Sequence, residues 1–235
     1  MKAMILAAGF GTRLRPYTLQ MPKPLLPMGG RPLIYYSLSL LKKHRITDVV
    51  INLHYQGEKI ISELGDGSEW GMKISYSSER EILGTGGGIK KAEKILSDNT
   101  FIVINGDIIV DIDLDKLIEF HYQNKAIATM VLRENREKEE YGVIEIDSQN
   151  RIRQFLRRLK WEGEKLKELM FTGVHILEPE IFNYIPEDVF YNITDTYIEM
   201  IERGKAIFGY VIDGYWSDPG TIERFEMTRE EFKKR

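Results

Sequence analysis

The chain lacks cysteine, has few histidines and carries no excess of positive charge. Without cysteine among its 235 residues it can form no disulfide, no cysteine nucleophile and no cysteine-ligated zinc or iron–sulfur site. The four histidines are His44, His54, His121 and His175, and no two of them have a spacing typical of a metal site. With 33 Lys and Arg against 36 Asp and Glu, the net charge is −3. Nucleic-acid binding needs a basic surface, so we expect no nucleic-acid partner.

Long apolar runs are missing as well. The apolar residues that follow Met1 give way to Gly9, which leaves too short a stretch for a signal peptide. No other apolar run reaches the length of a membrane span. We therefore expect a cytoplasmic protein with no membrane partner, and the hydrophobic content of 43% is sufficient for a folded core.

Strand-like and helix-like segments alternate through the first half of the chain. The pattern predicts strands at residues 3–6, 48–53, 72–76, 101–104 and 127–132, and helices at 32–43, 56–64, 86–96 and 114–123. Such alternation predicts an α/β fold, Rossmann-like and three-layered, with a mixed, mainly parallel sheet and helices on both faces.

The pattern changes after about residue 135. We expect a hairpin formed by residues 142–146 and 151–156, then a charged loop or exposed helix at 157–168. Further strands are predicted at 171–177 and 206–212, and helices at 194–203 and 221–233. No linker or internal repeat interrupts the sequence, which predicts a single domain over residues 1–235.

Four segments of unusual composition follow predicted strands or precede a predicted helix. They are residues 7–13, 84–88, 105–107 and 216–218. Ligands of open α/β sheets bind at the carboxyl ends of the strands, so we expect these segments to converge on one cleft.

The first segment contains Gly9 and Gly11, followed by Thr12 and Arg13. A glycine-rich loop lets backbone N–H groups approach phosphate oxygens, to which a hydroxyl and a guanidinium add further donors. The segment is not a Walker loop, and Leu14 stands where the dinucleotide fingerprint has its third glycine. An ordinary tight turn is the alternative interpretation.

Charged residues suited to phosphate and metal chemistry lie in other segments. Lys23 stands between two prolines, which limit where its ammonium can go and would suit a phosphate clamp, although this pattern taken alone favours a surface lysine in a proline turn. Asp107 and Asp218 follow different strands, and two carboxylates beside a phosphate loop are suited to Mg²⁺. Each aspartate alone could also be a cap or turn residue.

Two further patterns have two interpretations each. The glycines of residues 84–88 would let a flat ring or a phosphate lie against bare backbone, or would let a helix pack closely on a strand. The basic cluster at residues 151–160 is either a solvated face or the source of one contact to an anionic substrate.

Taken together, these segments resemble the signature of the sugar-1-phosphate nucleotidyltransferases (NDP-sugar pyrophosphorylases). The first motif is Leu6-Ala7-Ala8-Gly9-Phe10-Gly11-Thr12-Arg13-Leu14-Arg15-Pro16, followed by Pro22-Lys23-Pro24-Leu25-Leu26-Pro27. Later motifs match in order at Leu83-Gly84-Thr85-Gly86-Gly87, Asn105-Gly106-Asp107 and Tyr215-Trp216-Ser217-Asp218-Pro219-Gly220-Thr221. The chain length and residues 64–68 are similar to the N-acetylmuramate-1-phosphate uridylyltransferase branch and to mannose-1-phosphate guanylyltransferase-like proteins.

The resemblance implies a role for each matching position. The nucleotide would contact Leu6, Ala7, Ala8, Gly9, Gly11, Thr12, Arg13, Gly84, Thr85 and Gly106. The sugar phosphate would contact Gly142, Arg158, Gly173 and Glu178. The catalytic residues would be Arg13, Lys23, Asp107 and Asp218, with both aspartates binding Mg²⁺. Residues 1–134 would form a nucleotide-binding half and residues 135–235 a sugar-phosphate-binding half.

The activity implied is Mg²⁺-dependent, in-line attack of a sugar 1-phosphate on the α-phosphorus of UTP, GTP, dTTP or CTP. Its products are an NDP-sugar and pyrophosphate. Where many family members have Glu-Lys-Pro, this chain has Arg157-Arg158-Leu159, and Phe171 replaces an asparagine, so the sugar stays open.

Two other functions remain as alternatives at this stage. One is a cytidylyltransferase of a non-sugar alcohol phosphate, and the other is a non-catalytic, NDP-sugar-binding regulatory protein. Family members are often dimers or tetramers, so the resemblance is also compatible with a homo-oligomer.

Overall fold

A computed structural model describes residues 1–135 and 141–234. Its strands are β1 (Lys2–Leu6), β2 (Pro27–Met28), β3 (Arg31–Pro32), β4 (Asp48–Leu53), β5 (Lys73–Ser78), β6 (Phe101–Asn105), β7 (Ile109–Val110), β8 (Ala128–Arg133), β9 (Val143–Ile146), β10 (Ile152–Phe155), β11 (Lys167–Leu177), β12 (Ile207–Val211) and β13 (Trp216–Ser217). Its α-helices are α1 (Ile34–Lys43), α2 (Gly57–Leu64), α3 (Gly84–Lys91), α4 (Glu93–Leu96), α5 (Leu114–Gln123), α6 (Ile193–Glu202) and α7 (Ile222–Lys233).

The chain divides into two compact units, each built from separate segments. The first unit comprises Met1–Ile82, Ile104–Asp111 and Tyr215–Arg235, and the second comprises Leu83–Val103 and Ile112–Gly214. The boundary between the units does not fall near residue 134, and the two functional halves expected from the sequence stay a prediction.

Parallel strands form the centre of the first unit. β1 pairs with β4 from Ala3↔Val49 to Leu6↔Asn52, and β4 pairs with β5. The apolar run of β4 is buried except at its first residue, as expected for a parallel strand covered on both faces. The carboxyl ends of β1, β4 and β5 consequently lie at one edge of the sheet.

A hydrophobic cluster holds the two ends of the chain together within this unit. Leu14, Leu26 and Leu33 pack with Ile109 and with Phe225 of α7. Two short antiparallel pairs, β2 with β3 and β7 with β13, complete the unit. The side-chain oxygen of Thr221 accepts a hydrogen bond from the backbone N–H of Arg224 and so caps α7.

The second unit contains most of the antiparallel pairing. β11 pairs antiparallel with β8 and β9, whereas β12 runs parallel to β8. The hairpin predicted around residues 148–150 is confirmed as β9 and β10. Asp113 caps α5 by accepting hydrogen bonds from the N–H groups of Asp115 and Lys116.

One predicted helix and the start of one predicted strand in the second unit differ from the structure. The helix expected at 86–96 is two helices, because the N–H of Ala92 bonds to the carbonyl of Ile89, three residues back, and this tighter turn ends α3. The charged segment 157–168 is a loop, which is one of its two predicted forms, up to Lys167, where β11 begins earlier than the strand expected at 171–177. Within this loop, the Glu164 carboxylate accepts hydrogen bonds from the N–H and hydroxyl of Ser148. Among the helices described, none has the length and apolar character required to cross a membrane.

Candidate active site

A cavity of about 300 Å³ lies in the first unit, at the carboxyl end of β1. It is lined by Leu6, Ala7, Gly9, Phe10, Gly11, Thr12, Arg13, Lys23, Pro24, Asp107 and Gly220. Most of the nucleotide-contacting residues predicted in this unit are therefore together, and Thr12 and Arg13 are exposed. Ala8 and Gly106 are not among the lining residues described.

Gly11 gives the loop after β1 its shape. Its φ of 63° is in the left-handed region, which favours glycine. A Cβ atom at this position would lie 2.8 Å from Cγ2 of Thr18, whose hydroxyl donates a 2.8 Å hydrogen bond to the carbonyl of Gly11. Thr18 thus occupies the space that a side chain at position 11 would need.

Lys23 lies between the two aspartates predicted to bind metal. Its Nζ atom is 2.6 Å from Oδ2 of Asp107 and 3.1 Å from Oδ1 of Asp218. Lys23 is buried, whereas the side chains of Asp107 and Asp218 are 31% and 19% exposed. Burial by itself lowers the pKa of Lys23, but attraction and hydrogen bonds from the two carboxylates outweigh it, so the net shift of this pKa is upward. The ammonium is charged at neutral pH.

A short strand pair brings the two aspartates together. β7 and β13 are antiparallel, with Ile109 opposite Ser217, so Asp107 and Asp218 lie at the same end of this pair. Gly220 leaves room for the Asp218 carboxylate, since a Cβ there would be 2.9 Å from its Oδ1. A guanidinium nitrogen of Arg224 lies 3.7 Å from Oδ2 of Asp218 and adds positive charge nearby.

Gly106 contacts the backbone of β1. Its N–H donates to the carbonyl of Leu6 at 2.9 Å. A Cβ at this position would lie 2.9 Å from Cγ2 of Ile5 and 3.0 Å from the carbonyl oxygen of Leu6. Close packing therefore accounts for this glycine without a nucleotide.

The glycines at the start of α3 contact a neighbouring segment of the second unit. The N–H groups of Gly86 and Gly87 both donate to the carbonyl of Tyr191. A Cβ at Gly84 would lie 2.8 Å from that same carbonyl oxygen, and the hydroxyl of Thr85 accepts a hydrogen bond from the N–H of Ile193. Close packing is thus sufficient for this segment, although its partner is the loop at residues 189–192 and not a strand, and nucleotide contacts by Gly84 and Thr85 stay a prediction.

The predicted sugar-phosphate residues lie in separate contacts of the second unit. A Cβ at Gly142 would lie 2.3 Å from Cδ2 of Leu156, so this glycine packs on the hairpin. Arg158 is half exposed and bonds to Asp195 of α6 at 2.8 Å. Gly173 has φ 90° within β11. None of these contacts tests a role in sugar binding.

Glu178 instead forms hydrogen bonds with two buried residues, although its own side chain is 31% exposed. Its Oε1 atom is 2.6 Å from the hydroxyl of Thr100 and 3.0 Å from Nε2 of His121. Thr100 directly precedes β6, so Glu178 lies at the amino end of that strand, away from the carboxyl edge where ligands bind. Burial lowers the pKa of His121 more strongly than Glu178 raises it. This placement favours a structural role for Glu178.

Residues that sequence reasoning missed hold the loop after β1. Asn52 and Glu79 are buried at the carboxyl ends of β4 and β5, and Oδ1 of Asn52 accepts a hydrogen bond from the N–H of Ala7 at 2.7 Å. The rings of His54 and Phe10 meet edge to face, with centroids 5.2 Å apart. An asparagine within the apolar run of β4 was the available signal.

A family model described as nucleotidyl transferase matches residues 2–234. The chain belongs to the nucleotidyl transferase family. The resemblance stated from the motifs is thereby confirmed at the level of this family, whereas the particular branch is untested. The loop after β1 and the Lys23–Asp107–Asp218 group are features of this nucleotidyl transferase chain.

Curated relatives carry the names of sugar-1-phosphate enzymes. A UTP–glucose-1-phosphate uridylyltransferase of Synechocystis is 34% identical in an alignment 236 positions long, and the match covers 94% of this chain and 61% of the relative. A mannose-1-phosphate guanyltransferase of Debaryomyces hansenii is 35% identical over 96% of this chain and 62% of its own. The nucleotidyl transferase chain thus spans about three fifths of the length of these relatives.

Solved structures confirm the α/β fold. A Bacillus anthracis protein, assigned as a glucose-1-phosphate thymidylyltransferase and crystallised with sucrose, has a TM-score of 0.86 and 27% identity. The match covers 100% of the nucleotidyl transferase chain and 96% of that protein. The mixed, mainly parallel sheet with flanking helices is therefore as predicted.

Proposed function

We propose that this protein is a sugar-1-phosphate nucleotidyltransferase. A phosphate oxygen of the sugar 1-phosphate forms a bond to the α-phosphorus of an NTP. The bond from that phosphorus to the bridging oxygen of the β-phosphate breaks. Pyrophosphate leaves with the electron pair, and the NDP-sugar remains. The names of the curated relatives support this class of acceptor.

The observation that carries the proposal is the ion triplet next to the glycine-rich loop, in which buried Lys23 pairs with the partly exposed Asp107 and Asp218. Lys23, Asp107 and the loop after β1 line one cavity, and Asp218 contacts the same ammonium. Loop amides and a lysine suit the phosphates of a nucleotide, and paired carboxylates suit a metal bound to them.

The donor set fits Mg²⁺, which the family implies. Both carboxylates already converge on one positive atom, Nζ of Lys23, and both are partly exposed. Mg²⁺ prefers hard oxygen ligands and keeps sites open for water and phosphate oxygens. Asp107 and Asp218 would hold the ion, which when bound would neutralise charge on the reacting phosphates.

The chain's own residues would align the two substrates and neutralise the charge on the reacting phosphates. Thr12, Arg13 and the loop amides would hold the triphosphate, and Lys23 would offset negative charge that gathers at the α-phosphorus. The acceptor phosphate is already an anion near neutral pH, so the attack needs no general base. Consistent with this, no histidine is among the described lining residues. In the second unit we keep Gly142, Arg158 and Gly173 as sugar-phosphate contacts and leave out Glu178.

The test is pyrophosphate release over a grid of four NTPs and several sugar 1-phosphates, with Mg²⁺ or with EDTA. Glucose 1-phosphate with UTP and mannose 1-phosphate with GTP come first, because the curated relatives carry those names. N-acetylglucosamine and N-acetylmuramate 1-phosphates follow. We expect at least one strongly Mg²⁺-dependent combination, whereas an empty grid would contradict the proposal.

A further inference from the structure

Asn52 lies where the loop after β1 leaves the sheet. It is opposite Leu6 in the pairing of β1 with β4, and it is 3% exposed. Ala7, the next residue after β1, is also 3% exposed and lines the candidate nucleotide cavity. A contact at this position therefore controls the direction in which the loop departs.

The side chain of Asn52 connects a group that can only donate with a group that accepts. Its Oδ1 accepts the hydrogen bond from the N–H of Ala7 at 2.7 Å. Its Nδ2 donates to Oε1 of Glu79 at 2.7 Å. A backbone N–H cannot accept, and an ionised carboxylate cannot donate, so only one orientation of the amide satisfies both partners. Ala7 and Glu79 together thus fix which end of Asn52 faces the loop.

The start of the loop is held from two sides. On one side, the carbonyl of Leu6 accepts a 2.9 Å hydrogen bond from Gly106; on the other, Asn52 binds the N–H of Ala7. The backbone N–H of Glu79 in turn bonds to the carbonyl of Leu53 at 2.7 Å, which fixes Glu79 at the ends of β4 and β5. Ala7 is consequently placed by packed strands and not by the loop itself.

We propose that Asn52, oriented by Glu79, is a positioning residue that holds the loop after β1 in its nucleotide-binding conformation. The proposal rests on the proposed function, because it assigns the loop to the nucleotide. Neither residue contacts the reacting atoms in this scheme. Their effect is to keep the N–H groups of the loop in place before the NTP arrives, so that binding needs no reordering.

The first test measures NTP affinity in Asn52→Leu by isothermal titration without sugar phosphate. Leucine is similar in size but can neither accept from Ala7 nor donate to Glu79. We expect the NTP dissociation constant to rise about tenfold, because a buried N–H and a buried carboxylate each lose a partner and the loop relaxes. In turnover assays, the KM for NTP should rise while the KM for sugar phosphate stays unchanged.

Tyr36→Phe is the matched control, because it also removes one side-chain hydrogen bond to backbone in the first unit. The hydroxyl of Tyr36 donates to the carbonyl of Met28 at 2.9 Å, and neither residue lines the cavity. We expect a lower Tm and an unchanged NTP affinity. If Asn52→Leu shows the same pattern as this control, Asn52 only stabilises the fold and the proposal is overturned.

The second test exchanges the amide of Asn52 and the carboxylate of Glu79. Asn52→Asp alone puts two carboxylates within hydrogen-bond distance, so the repulsion between them should lower NTP affinity. When Glu79→Gln is added, the amide at position 79 can donate to the carboxylate at position 52. That carboxylate still accepts the hydrogen bond from the N–H of Ala7. We expect the double variant to bind NTP within about threefold of wild type.

The outcomes separate this inference from the proposed function. A double variant no better than Asn52→Asp alone would overturn the orienting role of Glu79. If NTP affinity depends on Asn52 but the wild-type protein releases no pyrophosphate, the proposed function alone would be overturned. Wild-type protein that binds none of the four NTPs would overturn both.

Discussion

Two glycine-rich segments, residues 9–11 in the first unit and 84–87 in the second, look alike in sequence and differ in what surrounds them. A Cβ at Gly9 would meet no atom within 4 Å, and this glycine lines the candidate cavity. A Cβ at Gly87 would lie 2.6 Å from the carbonyl oxygen of Val189. Similar composition therefore has different causes: open space at Gly9 and close backbone packing at Gly87.

The difference shows what a glycine-rich motif can and cannot establish. At the start of α3, the N–H groups of Gly86 and Gly87 are engaged by Tyr191, so they are not available to a phosphate. In the loop after β1, the cavity and the ion triplet lie next to the glycines. Neighbouring charge, and not glycine content, distinguishes a candidate phosphate site from a packing motif.

Removing a carboxylate of the ion triplet should have the largest effect. We expect Asp107→Asn or Asp218→Asn to lower kcat by about 10²-fold or more, because charge that stabilises the reacting phosphates would be lost. Asp111→Asn is the control, since Asp111 is an exposed aspartate in the same segment. Steady-state kinetics with folding checked by circular dichroism tests the prediction, and unchanged kcat in both variants would rule out the metal assignment.

Lys23→Met should lower turnover by about 10²-fold and increase the affinity for metal. Without nucleotide, the two carboxylates lose the ammonium that neutralises them, so we expect them to bind Mn²⁺ at least ~10-fold more tightly. Isothermal titration with Mn²⁺ measures this, and Lys73→Met, an exposed site on β5, is the control. Weaker Mn²⁺ binding in Lys23→Met would contradict the idea that metal and lysine share these carboxylates.

Sequence patterns were sufficient to predict much of the fold and the local motifs of the candidate site. The strand predicted at 48–53 and the helix predicted at 114–123 coincide with β4 and α5. Gly9, Arg13 and Lys23 lie in local motifs whose residue types suit phosphate, and the structure finds them at one cavity. Motifs of this kind can be predicted from the sequence because their residues are close together in the chain.

The remaining features depend on pairing between distant segments. β7 and β13 have two residues each, too few to show a period, yet their register places Asp107 beside Asp218. The role of Asn52 follows from its position opposite Leu6, which only the register of β1 and β4 reveals. Glu178 was assigned from the family resemblance, whereas its contacts with His121 and Thr100 join segments that are distant in the chain.

Gly87→Ala tests the packing side of the comparison. The new methyl would meet the carbonyl oxygen of Val189 at 2.6 Å and Cβ of Leu83 at 2.9 Å, so the backbone must shift. We expect the free energy of unfolding to fall by about 1–3 kcal/mol. Urea denaturation measures this, while NTP affinity should stay within about twofold of wild type if these glycines serve packing. A loss of affinity without a loss of stability would instead favour a nucleotide contact here.

Gly9→Ala tests the other side and should have the smallest effect on stability. The methyl group would enter open space, so the free energy of unfolding should change by no more than about 0.5 kcal/mol. Because that space is the cavity itself, we expect the NTP dissociation constant to rise about fivefold as the methyl group restricts approach to the loop amides. Titration with NTP and urea denaturation of the same sample separate the two quantities. Stability lost without any change in affinity would mean that Gly9, like Gly87, serves packing, and the contrast between the two segments would disappear.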